Sequence, residues 1–451
     1  MSRPAPTPLP IETGFVDAHA SARLPGAAWL GELRTSAIRT FANDGLPHRR
    51  VEEYRYFDLR QMLAKSGALT LAQHGSAAAE VSDPAAQLFE AIDRHVAVFV
   101  NGRLDAAQSD LDGLPNGLTI TSFADAAEAR DPWFDNALQS HHATKDVLDA
   151  LNLAYASDGA AIHVAAGTKV EKPLELVWLS TGNANAHYHA HSVVVVEEGA
   201  NLTLLETRSD TATTPLFATL AMSAIVGDTA SLRHVAIYAD AKDAVRVAQK
   251  RVRLGESTNY NTLSLAVGAG RARTSERVHF AGENASANIN GLSLLGNDAV
   301  MDNTLFIDHA VPNCQSEETY RYVLDDKSRG VFQGTILVRE HAQKIDAQMQ
   351  ARALLMSRKA EMDSKPMLEI YADDVICAHG SAIGEPDQDA IFYLMSRGID
   401  EKAARALLVA GFLDDVVDGF DDGDIGLAIK HLLARRLGAP EETATGLEAD
   451  V

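Results

Sequence analysis

The sequence contains few cysteines, the residues that crosslink small proteins and form thiolate metal sites. It has 2 cysteines in 451 residues, Cys314 and Cys377. So few thiols are not expected to hold the fold together by disulfides. Two cysteines also cannot supply a four-thiolate zinc or cluster site within one chain. Any metal bound here would need histidines, carboxylates or ligands from a second chain.

Long apolar runs and an excess of basic residues are also absent. No uninterrupted stretch approaches the roughly 20 residues of a membrane helix, and the start, MSRPAPTPLPIETGF, lacks the apolar core of a secretory signal. The net charge is −22, from 40 Lys and Arg against 62 Asp and Glu. Phosphates are repelled by such a chain. We therefore expect a cytoplasmic protein that binds neither nucleic acid nor membrane.

Familiar catalytic motifs are missing as well. The sequence has no Walker A loop, no GxSxG, no HExxH and no CxxC. It also has no dinucleotide-binding fingerprint placed between a strand and a helix. P-loop ATP hydrolysis by this chain is therefore not expected.

Three regions are distinguished by their hydrophobic periodicity. We predict a mainly helical N-terminal region at 1–157 that opens with a loose leader, a β core at 158–385, and a helical C-terminal region with a polar tail at 386–451. Helices are predicted at 28–42, twice within 120–157, and at 387–397, 400–417 and 421–437.

The β core consists of short runs in which apolar and polar residues alternate, the pattern of strands with one buried face. Glycine-containing turns separate the runs at Gly255, Gly268, Gly282 and Gly296, with spacings of 13, 14 and 14 by subtraction. Regular short strands of this kind predict a sandwich, a barrel or a β-solenoid. The pattern alone leaves all three open.

The helix predicted at 421–437 is amphipathic, with acidic residues at its start and Arg435 and Arg436 at its end, as the helix dipole favours. Its apolar stripe is a candidate partner-binding surface. The residues of that stripe on which this prediction rests are Ile425, Ile429, Leu432 and Leu433. The same stripe could instead pack on the chain's own β core.

Two groups of residues could bind metal. His187, His189 and His191 alternate and would share one face of a strand, as in a cupin-like metal enzyme, although Glu197 is too distant for a cupin motif. Ordinary surface histidines on a solvated strand face are the favoured interpretation. Cys377 and His379 would also share a face. There, composition favours a small buried cysteine beside a turn histidine.

The segment from Phe332 to Ile399 is more specific. It contains GVFQGTILV, HAQKIDAQMQARALLMS, KPMLEIYADDVICAHGSAIG and DQDAIFYLMSRGI in order. These motifs resemble the C-terminal core of the SufB/SufD family. Upstream, ALNLAYASDGAAIHVAAGTKVEKPLEL and AHYHAHSVVVVEEGA resemble the family's entry into its β core. The resemblance covers roughly residues 40–440.

The resemblance implies a mainly β fold, a right-handed parallel β-helix flanked by N-terminal and C-terminal helical regions. It implies a non-catalytic scaffold subunit for iron–sulfur cluster assembly that pairs with a SufB chain and binds the ATPase SufC through its C-terminal helices. A homodimer is implied when those partners are absent. No cofactor is expected to bind the isolated chain tightly. A transient iron–sulfur cluster is expected at the SufB interface, and FAD is a further candidate ligand of the assembled complex.

One position separates the two branches of the family. SufB-like chains carry His-Glu-Ala-Thr where this sequence has His379, Gly380, Ser381 and Ala382. The resemblance therefore favours the SufD-like branch and implies that His379 helps to hold the nascent cluster at the interface. Two alternatives from other classes stay open: a cupin-like metal-dependent enzyme, and a homo-oligomeric structural β-solenoid.

Overall fold

The computed structural model of the protein describes residues 7–72, 87–142, 146–181, 185–210, 217–268, 270–421 and 423–438. The strands, in chain order, are β1 (Thr70–Leu71), β2 (His95–Val100), β3 (Arg103–Leu104), β4 (Leu118–Ser122), β5 (Ala160–Val164), β6 (Leu174–Ser180), β7 (Ala186–Val196), β8 (Asn201–Asp210), β9 (Phe217–Val226), β10 (Ser231–Ala239), β11 (Val245–Leu254), β12 (Asn259–Ala266), β13 (Arg271–Phe280), β14 (Ser286–Leu295), β15 (Val300–His309), β16 (Gln315–Leu324), β17 (Arg329–Val338), β18 (Ile345–Leu355), β19 (Glu361–Ile370) and β20 (Val375–Gly384). The helices are α1 (Pro10–His19), α2 (Ala28–Asp44), a 3-10 turn (Glu52–Tyr54), α3 (Leu59–Met62), α4 (Phe123–Ala129), α5 (Pro132–His142), α6 (Val147–Tyr155), α7 (Gln388–Ser396), α8 (Glu401–Phe420) and α9 (Asp424–Leu437).

The strands form a parallel β-solenoid of about seven turns, flanked by N-terminal and C-terminal helices. Odd-numbered strands from β5 to β19 make one sheet, and even-numbered strands from β6 to β20 make the other. Consecutive strands therefore lie in different sheets, and each strand pairs with the one two places further along. The choice among sandwich, barrel and solenoid is settled, because one turn uses two strands and the glycine spacing of 13 or 14 residues corresponds to half a turn.

Left-handed backbone conformations recur at the corners of the solenoid. Asn284, Asn297, Asn313 and Asp326 all have φ between 54° and 60°. Asparagine and aspartate tolerate this region better than other non-glycine residues. Their short side chains thus let the chain turn from one sheet to the next where glycine is absent.

Among the described residues, three large apolar cores and a smaller fourth cluster hold the molecule together. The first fills the space between the two sheets along the solenoid. The second lies between the N-terminal helices and the outer face of the odd-numbered sheet. The third lies between α8, α9 and the outer face of the even-numbered sheet. Both outer faces are thus partly covered, which explains why many strands are buried on both sides rather than on one.

The predicted loose leader is wrong for part of its length, because α1 forms within residues 1–27. Ile11 and Phe15 of this helix are buried in the second core. Glu12 ties the helix down by accepting hydrogen bonds from the backbone amides of Leu9 and Leu46. Proline and alanine content concealed a helix whose stability comes from tertiary packing.

The apolar stripe of α9 packs inside the chain. Ile425, Ile429, Leu432 and Leu433 are all buried in the third core, against the even-numbered sheet and α8. The structure therefore corrects the interpretation of these four residues as a partner-binding surface. The alternative, packing on the chain's own β core, is confirmed.

Candidate functional site

The two ends of the solenoid differ. At the N-terminal end, β4 runs antiparallel to β5 and β3 runs antiparallel to β2. At the other end, β19 pairs with β17 and β20 pairs with β18, and neither has a second strand partner among the described residues. We call this second end, formed by β19 and β20, the open end. Its ten-residue strands present unpaired backbone groups, and unpaired groups can bind a strand of another chain.

Strand register shows which side chains of the open end face the interior. Ala347 and Met349 of β18 are buried between the sheets, and they pair with Cys377 and His379 of β20. Paired residues of parallel strands point to the same side. Cys377 and His379 therefore share the inward face of the last strand, as the sequence predicted.

The two residues differ in exposure. His379 is exposed and Cys377 is half-buried. Both lie within β20, so the interpretation of His379 as a turn residue is wrong. Burial, and to a smaller degree the nearby acidic side chains of Asp346 and Glu318, raise the pKa of the Cys377 thiol. An exposed imidazole with a half-buried thiol two residues away can contribute ligands to a metal that a second chain completes.

Large apolar side chains are exposed around the open end. Tyr371 and Ile376 are 65% and 67% exposed, and Ile383 is also exposed. Helix α7, which follows β20 directly, exposes Phe392 to 73%, and it exposes Tyr393 and Met395 as well. The exposed residues in this list were not singled out by sequence reasoning, since periodicity alone cannot tell an apolar face without a partner from a buried one.

The three alternating histidines lie far from solvent. His187, His189 and His191 share one face of β7, as predicted, but all are fully buried, so the solvated-face interpretation is wrong. His187 Nδ1 is 2.8 Å from His189 Nε2, and His189 Nδ1 is 2.6 Å from the Thr219 hydroxyl. Burial lowers the pKa of His187 to about 3 and that of His189 well below its usual value.

Helix α6 completes this histidine cluster. Asn152 accepts a hydrogen bond from His191 Nδ1 at 3.1 Å and donates to the backbone carbonyl of Ala190. The second ring nitrogen of His191 is hydrogen-bonded to Ser223. The cluster thus joins the N-terminal helices to the solenoid. This arrangement does not support a cupin-like enzyme centre.

A charged network inside the solenoid was missed by sequence reasoning. Lys250 Nζ lies 3.8 Å from Glu276 and 3.5 Å from His234, and Tyr260 donates to Glu276 at 2.6 Å. Glu206 lies 3.5 Å from His234 on the other side. Burial lowers the pKa of Lys250, but the carboxylates more than offset this and raise it overall. The inward positions of alternating strands could have shown this network once the register was known.

The second cysteine, Cys314, lies far along the chain from Cys377 in sequence and is buried, and its thiol donates to backbone carbonyls. Asp308, a few residues before it, pairs with Arg339 and His279. Within the described ranges there is no group of three or more His, Cys, Asp or Glu residues arranged to hold a metal ion.

Comparison with known families identifies the family to which the chain belongs. The profile of the SUF system FeS cluster assembly SufBD core domain matches residues 179–412, and that of the SufBD protein N-terminal region matches residues 15–176. The chain belongs to the SufBD family. This member of the family is therefore an iron–sulfur cluster assembly protein, and its core-domain match includes both the histidine cluster and the open end.

Individual relatives agree with the family assignment. The SufBD-family chain is 30% identical to the iron–sulfur cluster assembly protein SufD of Escherichia coli over 407 residues, covering 89% of this chain and 91% of that one. It is 28% identical to an iron–sulfur cluster assembly SufBD family protein of Synechocystis, covering 83% of both chains. It is 26% identical to SufD of Bacillus subtilis, covering 60% of this chain and 62% of that one. None of the helices within the described ranges is long and apolar enough to cross a membrane.

Proposed function

We propose that this chain is a non-catalytic scaffold subunit whose open end pairs with a SufB-type paralogue and holds part of a nascent iron–sulfur cluster. The observation that carries the proposal is the open end, where two ten-residue strands each have one edge without a strand partner among the described residues, and where the inward face of β20 exposes His379. Proteins commonly protect such edges with short strands, charges or a covering element. Here β19 and β20 keep ten residues each, and apolar residues beside them are exposed.

Pairing at the open end would continue both sheets into the partner. Exposed Tyr371, Ile376 and Ile383 would be buried in that contact. His379 would then lie within the interface, where neutral imidazole is a suitable ligand for iron. Two chains can share the ligands of one cluster, which explains why a chain with 2 cysteines needs no complete site of its own.

We further propose that α7 carries the surface that binds the SufC-type ATPase. Its exposed Phe392, Tyr393 and Met395 form an apolar patch on a short helix next to the open end. Clustered exposed aromatic residues are typical of protein interfaces. The buried stripe of α9 supports α8 and the solenoid instead of contacting the ATPase.

The first experiment is to tag the chain in its native host and purify it anaerobically under mild salt. Recovery of a SufB-type chain and an ATPase in fixed ratio is the expected result. Recovery of this chain alone or as a homodimer would contradict the pairing proposal and favour the homo-oligomeric solenoid.

His379→Ala should lower cluster formation at least several-fold while the complex still assembles, because it removes a ligand without altering the strand edges. The matched control is His341→Ala, which removes an exposed histidine from the turn after β17. Equal cluster yield from wild type and His379→Ala would remove this residue from the proposed site.

The α7 surface is tested separately. Phe392→Ser combined with Tyr393→Ser should reduce ATPase capture without changing the melting temperature, since both side chains are already exposed. Leu427→Ser on α9 is the control, an exposed apolar residue on another helix of the same region. If the α7 variant captures the ATPase as well as wild type does, the ATPase binds a surface other than α7.

A further inference from the structure

One buried carboxylate in the solenoid lacks the partners that the others have. Glu318 of β16 is fully buried, yet neither of its carboxylate oxygens makes a hydrogen bond of ordinary geometry with any described residue. By contrast, Glu276 accepts from Tyr260, and Asp302 is paired with Arg273. Unsatisfied buried acids are costly and therefore call for an explanation.

The position of Glu318 supplies a candidate explanation. Glu318 pairs with Met349, and Met349 pairs with His379, so the three residues form one inward row that ends at the open end. Two strand spacings separate Glu318 from His379, which corresponds to about 10 Å between their backbones. Ser316, Ala347 and Cys377 form the row alongside.

Only a flexible side chain separates the carboxylate from the open end along this row. Met349 is unbranched, and its thioether occupies the space that a side chain at Gly334 would need. Glycine at position 334 therefore leaves room for methionine between Glu318 and the last strand. No ammonium or guanidinium group in the described ranges donates a hydrogen bond to either oxygen of the acid.

The surroundings of Glu318 favour its neutral form. Burial raises its pKa to about 8, more than the hydroxyl of Ser316 lowers it. The titratable groups that act on Glu318 or respond to it are Glu317 on its own strand, Tyr320, and Cys377 of β20, and all three are acids. The hydroxyl of Ser316 connects in turn to the buried ring of His309, 3.0 Å away. A cation arriving near Cys377 would be the first positive charge in this group.

We propose that Glu318 is the counter-charge for a metal cation bound at the open end beside His379. This inference rests on the proposed function, since it assumes that His379 holds metal. Glu318 is a positioning residue for charge and not a ligand: when the cation binds, the carboxylic acid ionises and its proton passes to bulk water. Because one proton leaves, the net charge of the site rises by one unit less than the charge of the metal.

The expected size follows from Coulomb's law. With an effective dielectric constant of about 20 and a separation of about 10 Å, an ionised carboxylate strengthens binding by roughly tenfold for each unit of metal charge. The acid has a pKa of about 8, so ionising it at pH 7 costs free energy and cancels roughly tenfold of this gain in affinity. For a divalent cation, a net effect of about tenfold remains.

The test is an anaerobic titration with Co²⁺ of this chain in complex with its SufB-type partner, followed by the absorption spectrum of the complex and by calorimetry in two buffers of different ionisation enthalpy. At pH 7, Glu318→Gln should bind Co²⁺ about tenfold more weakly than wild type and release about one proton fewer. Glu340→Gln, at an exposed glutamate in the turn after β17, is the matched control and should behave like wild type.

Two outcomes separate this inference from the proposed function. If His379→Ala abolishes Co²⁺ binding while Glu318→Gln changes neither affinity nor proton release, the proposed site stands and the role of Glu318 is overturned. If His379→Ala binds as wild type does, the proposed site fails and the inference fails with it. A change in melting temperature alone in Glu318→Gln shows a purely structural residue and also overturns the inference.

Discussion

The buried histidine cluster predicts that acid loosens the contact between the N-terminal helices and the solenoid. His187 is fully buried, its ring lies edge-on to Phe15 and Tyr155, and its Nε2 has no hydrogen-bond partner among the described residues. A proton added there would place an uncompensated charge between α1, α6 and β7. The folded protein therefore excludes the proton, and the unfolded chain accepts it.

The direction and the size of the stability change with pH follow from the pKa values of His187 in the folded and unfolded chain. The pKa of His187 is about 3 in the folded chain and 6.5 in the unfolded chain, so the unfolded state binds more protons at every pH between them. The contribution of the neutral His187 ring to the free energy of unfolding is complete above pH 6.5 and is lost as the pH falls toward 3. Between pH 7.5 and pH 5.0 the loss is about 2 kcal/mol from this residue alone, at 1.36 kcal/mol per pH unit below 6.5.

The assay is urea unfolding at pH 7.5 and pH 5.0, followed by circular dichroism. His187→Gln removes the titrating ring, so its free energy of unfolding should fall by about 2 kcal/mol less between the two pH values than that of wild type. His341→Gln, at an exposed histidine, should show the wild-type pH dependence. An identical pH dependence in wild type and His187→Gln would refute the assignment of a depressed pKa to this ring.

Two further predictions concern the solenoid interior. Lys250→Met should lower the free energy of unfolding, measured by urea unfolding, by about 3–5 kcal/mol, because Glu276 would be left buried without its cation. The double variant with Glu276→Gln should recover part of this loss. Gly291→Ala should destabilise by about 1–3 kcal/mol, since the new methyl group would overlap the ring of Tyr320, whereas Gly380→Ala on exposed β20 should leave the melting temperature unchanged.

Either result can be contradicted directly. A Lys250→Met chain as stable as wild type would mean that the interior tolerates the unpaired carboxylate, for instance in its protonated form. Equal melting temperatures for the variants at positions 291 and 380 would mean that Tyr320 has room to move. Both experiments need only the purified chain, so they do not depend on the identity of its partners.

The asymmetry of the solenoid connects its fold to its proposed role. One end is closed by antiparallel strands that turn the sheets back on themselves, and the other is left open with His379 on its inner face. A scaffold that joins a single paralogue needs one such end. The histidine cluster and the charged network lie away from it, where they rigidify the chain at the cost of acid sensitivity and buried charge.

The sequence by itself determined the order of the elements and the face on which most side chains lie. Period-two alternation placed Cys377 and His379 together, and the helices predicted from residues 387 and 400 begin within one residue of those positions, where Asp387 and Asp400 cap them. The family motifs identified the solenoid. These properties are local or are carried by specific motifs, since period and capping depend on neighbours a few residues apart.

Only the tertiary structure decided which faces are covered. Alternation could not show that α1, α6 and Asn152 bury the three histidines, because those contacts join residues tens of positions apart. Both α7 and α9 carry apolar residues in sequence, yet Ile429 of α9 is buried and Phe392 of α7 is exposed. Register between distant strands placed Glu318 behind His379. Burial, charge compensation and exposure depend on which elements pack together, and packing is a property of the whole chain.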